Sequence, residues 1–162
     1  MRPYLDKVIP EAWASAQAHS AVVAREAAAR GLSAGEVELI KVRASQLNRC
    51  AFCLDLHARE ARAAGVGQQK LDLLPAWREV ALYDERERAV LAVAEAATAL
   101  PVGDDAAADL EAARGVLGQD GFVAAEWMAA TINMFNRISI LSEHPVRPRG
   151  ADGRIVREQP RG

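Results

Sequence analysis

Cys50 and Cys53 are the two cysteines of this 162-residue chain, and His57 follows the second cysteine by four residues. In a helix, the spacing i, i+3, i+7 places three side chains within an arc of roughly 60° on one face. Reactive thiol chemistry requires a thiolate, a second sulfur close to it and a base that moves protons. The Cys-x-x-Cys pair and its histidine therefore predict a dithiol with a built-in base on one helix face.

The start of that helix decides which thiol is the more acidic. If Asn48 caps the helix, Cys50 lies in the first turn, where the helix dipole favours a thiolate. The nearby base favours the other thiol, because His57 stands one turn beyond Cys53 and can accept its proton. These two physical effects point to different cysteines.

The elements that position these residues are predicted to be helices. Alanine accounts for 34 residues, and no run of β-branched or aromatic residues is long enough to indicate a strand. Ser33 with Glu36, and Asp84 with Glu87, match the capping box that begins a helix. We expect an all-α domain of about six helices, over residues 10–31, 33–48, 48–65, 84–100, 104–118 and 120–141, with a short segment over 68–74.

Charge and hydropathy exclude several classes of protein. Twenty Lys and Arg against 22 Asp and Glu give a net charge of −2 without a basic stripe, so we expect no nucleic-acid partner. No apolar run approaches the roughly 20 residues that span a bilayer, so we expect no membrane association. Residues 1–6 lack the apolar region of a secretory signal, which predicts a cytoplasmic location. In a reducing compartment, a cysteine pair is more often redox-active or metal-binding than a structural disulfide.

The predicted domain covers residues 1–144, and residues 145–162 form an Arg/Pro/Gly-rich C-terminal tail. This segment has too few apolar side chains to bury, so we interpret it as a flexible or surface-draped tail.

The segment from Glu38 to His57 resembles the active-site signature of the AhpD-like alkylhydroperoxidases, the redox branch of the carboxymuconolactone decarboxylase family. The string reads ELIKVRASQLNRCAFCLDLH, and the segments 77–78, 83–89 and 132–137 are also similar to that family. The resemblance covers residues 10–142 and is most specific over 38–65. It implies an AhpD-like helical bundle.

The resemblance also implies a role for each of four residues. Cys53 would attack the peroxide O–O bond as a thiolate and become a sulfenic acid, which Cys50 would resolve into a disulfide. His57 and Glu38 would form a proton relay. A dithiol or a protein reductant would restore the thiols without a cofactor, and the chains would form homotrimers or hexamers. One departure is Phe52, which stands where some members have a histidine that could join the relay.

Two other interpretations compete with a peroxidase that reduces hydroperoxides. Cys50, Cys53, His57 and Glu38 could supply four zinc ligands, but the sequence has no second cluster of Cys or His, so we predict no metal. The chain could instead be a non-enzymatic redox sensor or protein-interaction module, switched by a Cys50–Cys53 disulfide. We favour the enzyme, an alkylhydroperoxidase-like oxidoreductase of peroxiredoxin type.

Overall fold

Helices make up the regular structure of residues 2–150 and 153–156, the part of the chain that the computed structural model describes. They are α1 (Leu5–Val8), α2 (Pro10–Ala29), α3 (Ala34–Leu47), α4 (Ala51–Ala63), α5 (Gln68–Leu73), a 3-10 helix (Leu74–Glu79), α6 (Glu85–Thr98) and α7 (Asp104–Leu141). Within these described residues, the β pairing consists of one isolated bridge between Arg149 and Ile155. The prediction of an all-α fold is confirmed.

Both predicted capping boxes are formed. The hydroxyl of Ser33 accepts a hydrogen bond from the backbone N–H of Glu36 at 3.2 Å, and a carboxylate oxygen of Asp84 accepts one from Glu87 at 2.9 Å. In each case the glutamate side chain returns a bond to the backbone of the capping residue. Side chains thus satisfy the first N–H groups of α3 and α6, and both helices begin where the sequence predicts.

Besides the 3-10 helix Leu74–Glu79, which lies beyond the predicted short segment 68–74, the structure differs from the predicted helices at three places. The four residues of α1 form a short helix that has no side-chain cap, so no capping signal marks its start. The predicted helices 104–118 and 120–141 are the two arms of α7, which leaves helical geometry at Gly118 (φ 70°, ψ 166°). The third difference concerns Asn48, where α4 was expected to begin, and it changes the chemistry of the site described below.

The core lies on both sides of α6. One apolar cluster joins α6 to α2, α3 and α7, and the other joins it to α3, α4, α5 and the 3-10 helix. Alanine is frequent at the fully buried positions, which include Ala27, Ala44, Ala61, Ala94, Ala125 and Ala129. Because alanine adds little volume beyond the backbone, the helices approach closely, and α3 brings its polar side chains next to α4.

The first residues of the described chain contact the residues that follow α7, and the segment after α7 also contacts α4. The backbone N–H of Leu5 donates to the hydroxyl of Ser142, just after α7, at 3.0 Å. Beyond α7, Arg149 lies 3.2 Å from a carboxylate oxygen of Asp55, so the described part of the tail lies against α4. Residues 151–152 and 157–162 of the predicted tail lie outside the described residues. A search of the described helices for a span capable of crossing a bilayer found none.

Candidate functional site

The turn between α3 and α4 sets the position of both cysteines. After the last residue of α3, Asn48 is the C-cap and Arg49 adopts a left-handed conformation (φ 56°). The N–H groups of Arg49 and Cys50 then bond to the carbonyls of Gln46 and Ser45, both at 3.0 Å, in the pattern of a Schellman motif. Cys50 therefore lies outside both helices, immediately before α4.

Cys50, and not Asn48, is the N-cap of α4. Its Sγ accepts a hydrogen bond from the backbone N–H of Cys53 at 3.4 Å. This corrects the expectation that Asn48 caps the helix and that Cys50 occupies the first turn. Cys53 is the cysteine in the first turn, where the unpaired N–H groups of the helix favour a thiolate.

The two thiols differ strongly in acidity. The hydrogen bond with Cys50 lowers the pKa of Cys53 from its ordinary value of 9.0 to about 6, against the opposing effect of burial. Hydrogen bonds from Ser139 and Asn136 lower it further, as does the charge of His57. The same thiol–thiol contact, together with burial, raises the pKa of Cys50. The dipole argument for an acidic Cys50 is therefore wrong, because it depended on Asn48 as the cap.

Both sulfurs are enclosed by protein. Cys50 is 2 % exposed and Cys53 is 4 % exposed. They are present as free thiols, with Cys50 at the N-cap and Cys53 in the first turn of α4. Buried thiols of such different acidity are typical of a reactive pair, in which one sulfur is the nucleophile and the other remains protonated.

Glu38 and His57 meet between α3 and α4. Oε2 of Glu38 lies 3.0 Å from Nδ1 of His57, and Oε1 of the same carboxylate accepts from Nζ of Lys41 at 2.7 Å. Burial raises the pKa of Glu38, but its hydrogen bonds with His57 and Lys41 outweigh that effect and leave the pKa below its ordinary value. An ionised carboxylate on one ring nitrogen orients the imidazole and leaves the other nitrogen available for proton transfer.

Three polar side chains of the last turns of α7 and the loop after it complete the site, and the sequence did not assign them to it. Asn136 is fully buried, accepts from the Asn48 amide at 2.8 Å and donates to the Ser45 hydroxyl at 3.0 Å. Ser139 interacts with both thiols, and His144 lies beyond it with Nδ1 3.4 Å from the Ser139 hydroxyl. The sequence did contain a signal for them, because polar residues recur in an otherwise apolar part of the last helix at a spacing that places them on its buried face.

The four residues proposed from the sequence are thus arranged as two contacting pairs, Cys50 with Cys53 and Glu38 with His57. Among the described residues, no three His, Cys, Asp or Glu side chains converge in a way that could hold a metal ion. This geometry does not favour the zinc alternative, which required all four side chains to point at one centre.

Comparisons with known proteins bear on the family and the fold of the chain. Residues 12–96 match the model of the carboxymuconolactone decarboxylase family. The uncharacterised protein YdfG of Bacillus subtilis (strain 168) is 38 % identical over 106 residues, which are 64 % of this chain and 70 % of that protein. A crystal structure of an Agrobacterium tumefaciens protein of unknown function, proposed to be the antioxidant defence protein AhpD, superposes with a TM-score of 0.78 at 34 % identity. That superposition covers 90 % of this chain and 99 % of the other. The resemblance inferred from the cysteine segment is confirmed, and the chain is an AhpD-like member of the carboxymuconolactone decarboxylase family.

Proposed function

We propose that this protein is a thiol-dependent peroxidase that reduces hydroperoxides through a dithiol/disulfide cycle of Cys50 and Cys53. The observation that carries the proposal is the asymmetry of the pair: a buried Cys53 with a pKa of about 6 faces a Cys50 whose pKa is raised. At neutral pH one sulfur is a nucleophile and the other is a protonated thiol within reach of it.

The first step is attack by the Cys53 thiolate on one oxygen of the peroxide. The S–O bond forms as the O–O bond breaks, so the sulfur is oxidised to a sulfenic acid and the peroxide is reduced to an alcohol or water. The leaving oxygen needs a proton. His57 stands one turn beyond Cys53 on α4 and is oriented by Glu38 at 3.0 Å, so it is the group we assign to deliver that proton.

The second step joins the two sulfurs. Cys50 attacks the sulfenic acid of Cys53, a disulfide forms and water leaves. An external dithiol or a protein reductant then restores both thiols. We further propose that the protein works in the cytoplasm, where such reductants are found, as a homotrimer or hexamer and without a nucleic-acid partner. The antioxidant defence role proposed for the Agrobacterium tumefaciens neighbour is consistent with this activity.

The test is steady-state turnover of hydrogen peroxide and of an organic hydroperoxide, with a small dithiol as the reductant. We expect turnover by the native protein, complete loss in Cys53→Ser, and loss of cycling in Cys50→Ser after one oxidation of Cys53. His57→Gln should lower the rate by about 100-fold. The matched control is His19→Gln. The imidazole of His19 bonds to Thr131 at 3.0 Å, and Thr131 is not part of the dithiol site. Full turnover by Cys53→Ser would reject the proposal.

The second candidate is a redox sensor without turnover. The observation that favours it is the contact of Arg149 with Asp55, two residues after Cys53, which ties the tail to the helix that a disulfide would alter. A sensor would undergo one slow oxidation per chain and release the tail, whereas the peroxidase would turn over repeatedly. Proteolysis of the tail in the reduced and oxidised protein separates these outcomes.

A further inference from the structure

A second polar network reaches the dithiol. Its residues lie near the two ends of the helical domain in the sequence. Nε2 of His144 lies 3.0 Å from Oδ1 of Asp6, and Nδ1 of the same ring lies 3.4 Å from the hydroxyl of Ser139. That hydroxyl interacts with the thiols of Cys50 and Cys53. A carboxylate, an imidazole and a hydroxyl are thus connected in series and end at the sulfurs.

The imidazole of His144 is held firmly in this network. The loop after α7 has its own Schellman motif, in which Glu143 adopts a left-handed conformation and the N–H of His144 bonds to the carbonyl of Ser139 at 3.1 Å. The rings of Tyr4 and Phe52 both contact the histidine ring, with centroids at 5.1 and 5.2 Å from it. With both ring nitrogens bonded and aromatic neighbours in contact, the ring has a defined orientation.

Asp6 is suited to orient this histidine. Its side chain is 9 % exposed, and its second oxygen pairs with Lys7 at 3.1 Å. Burial raises the pKa of Asp6, but hydrogen bonds with Lys7 and His144 outweigh it and leave the pKa below its ordinary value. The ionised carboxylate accepts a hydrogen bond from the histidine, which leaves Nδ1 as the acceptor that faces Ser139.

In the proposed cycle Glu38 and His57 serve Cys53. The resolving step, in which Cys50 reacts, therefore needs a different base. Cys50 must lose a proton before it attacks the sulfenic acid, and its surroundings favour the protonated form. The Ser139 hydroxyl interacts with Cys50 from α7, which packs against the turn before α4 through the bonds of Asn136 to Asn48 and Ser45 at 2.8 and 3.0 Å. Because the Ser139 hydroxyl also lies 3.4 Å from Nδ1 of His144, a route for the Cys50 proton leads through this hydroxyl.

We propose that Ser139, His144 and Asp6 form a second proton relay, which takes the proton of Cys50 during disulfide formation; this inference rests on the proposed peroxidase function. The Cys50 proton passes to Ser139 Oγ while the Ser139 proton passes to Nδ1 of His144. The Cys50 electron pair forms the S–S bond, and the S–O bond of the Cys53 sulfenic acid breaks. The departing hydroxide takes a proton from His57, which solvent has reprotonated after the first step, and leaves as water, while His144 returns its proton to solvent. Cys50 is oxidised and Cys53 is reduced in this step.

His144 and Asp6 act through Ser139, so they are positioning residues. The centroid of the His144 ring lies 5.2 Å from that of Phe52, so this imidazole, from the loop after α7, packs against the first turn of α4.

The experiment separates oxidation of Cys53 from its resolution. Reduced protein is mixed with one equivalent of cumene hydroperoxide, loss of the peroxide is followed by rapid mixing, and the Cys53 sulfenic acid is trapped with dimedone and measured by mass spectrometry. For His144→Gln and Asp6→Asn we expect peroxide loss within about twofold of the native rate, disulfide formation slowed by about tenfold or more, and a larger fraction of trapped sulfenic acid. Ser139→Ala should resolve slowly as well, whereas Ser139→Thr, which keeps the hydroxyl, should restore most of the rate.

The outcomes distinguish the relay from a structural role and from failure of the peroxidase proposal. His19→Gln, which replaces a histidine bonded to Thr131, should match the native protein in both steps. Native resolution rates in folded His144→Gln and Asp6→Asn would overturn the relay and leave the peroxidase intact. Equal slowing of peroxide loss and resolution would also overturn it, because that indicates general disruption of the site. If native Cys53 does not react with the hydroperoxide, both proposals fail.

Discussion

Cys50 accepts a hydrogen bond from the backbone N–H of Cys53 across 3.4 Å, so the first cysteine is the N-cap of the helix that carries the second. The contact satisfies one of the unpaired N–H groups at the start of α4. It also places the two sulfurs on one turn, where the charge of one directly affects the ionisation of the other. A single local interaction therefore contributes to the stability of α4 and to the chemistry of the dithiol.

The capping role predicts that serine and alanine at position 50 differ in stability. Serine retains an N-cap oxygen, whereas alanine leaves the Cys53 N–H without its acceptor. We expect Cys50→Ser to be more stable than Cys50→Ala by about 1 kcal/mol in urea unfolding. Equal stability of the two variants would show that the sulfur does not act as a cap. Both variants lack the resolving thiol, so their redox behaviour serves as the internal control.

The acidity of Cys53 predicts a pH profile for alkylation. Because its pKa is lowered to about 6, the thiolate fraction rises as the pH increases through 6, and the rate with iodoacetamide should level off about one to two pH units above that midpoint. Cys50 has a raised pKa and should remain unmodified at pH 7. Mass spectrometry of the singly alkylated peptide checks the site. In denaturing urea the midpoint should move to about 9.0, the ordinary pKa of a cysteine thiol.

The pair Glu38 and His57 predicts that an isosteric change in the carboxylate slows peroxide reduction. Glu38→Gln keeps the shape but removes the charge that orients the imidazole, so we expect the rate of Cys53 oxidation to fall by about 10- to 100-fold. The matched control is Glu60→Gln on α4, which removes an exposed carboxylate one turn beyond His57. A native rate in Glu38→Gln would exclude the carboxylate from the relay.

The buried amide of Asn136 predicts linked effects on stability and acidity. Asn136→Ala removes partners of Asn48 and Ser45, so we expect unfolding free energy to fall by about 2 kcal/mol or more. Because Asn136 also lowers the pKa of Cys53, the alkylation midpoint should shift to higher pH. Gln17→Ala, an exposed amide on α2, should change neither quantity. An unchanged alkylation midpoint in Asn136→Ala would show that this amide does not affect the pKa of Cys53.

Exposed apolar side chains on α7 predict a self-association surface. Trp127 is 56 % exposed and Val123, one turn earlier, is 41 % exposed. Large aromatic side chains commonly dominate the binding free energy of interfaces. We expect the native protein to elute as a trimer or hexamer in size exclusion with light scattering, and Trp127→Glu to shift it towards the mass of one chain. Leu100→Glu, in the loop between α6 and α7, should leave the assembly intact. A native protein of single-chain mass would contradict the prediction.

The features predicted correctly from the sequence depend on local interactions. The capping boxes at Ser33 and Asp84 involve residues three positions apart, and alanine content alone indicates helix. The i, i+4 relation of Cys53 and His57 follows from helix geometry once α4 exists. The pairing of Glu38 with His57 was expected from the resemblance of the segment 38–57 to the AhpD-like signature. Each of these can be inferred within a few turns of chain.

The features that were missed depend on turns without a sequence signal and on distant contacts. Schellman motifs usually place glycine in the left-handed position, but here Arg49 and Glu143 occupy it, so neither turn could be recognised. The shift of the cap from Asn48 to Cys50 follows from the first of these turns. Asn136 and Ser139 join the site through contacts with α3 and α4, which lie more than 80 residues earlier in the chain, as the 91-residue separation of Ser45 and Asn136 illustrates.

The route by which Cys53 acquires its acidity has a consequence for biosynthesis. The helix that carries the cysteines precedes Asn136 and Ser139 in the chain, so a ribosome synthesises the dithiol well before the side chains that complete its surroundings. Until the final turns of α7 dock, the emerging cysteine lacks two of the hydrogen bonds that lower its pKa. The full acidity of Cys53 therefore requires the completed tertiary structure, and in a nascent or partly unfolded chain a smaller fraction of this thiol is ionised at neutral pH.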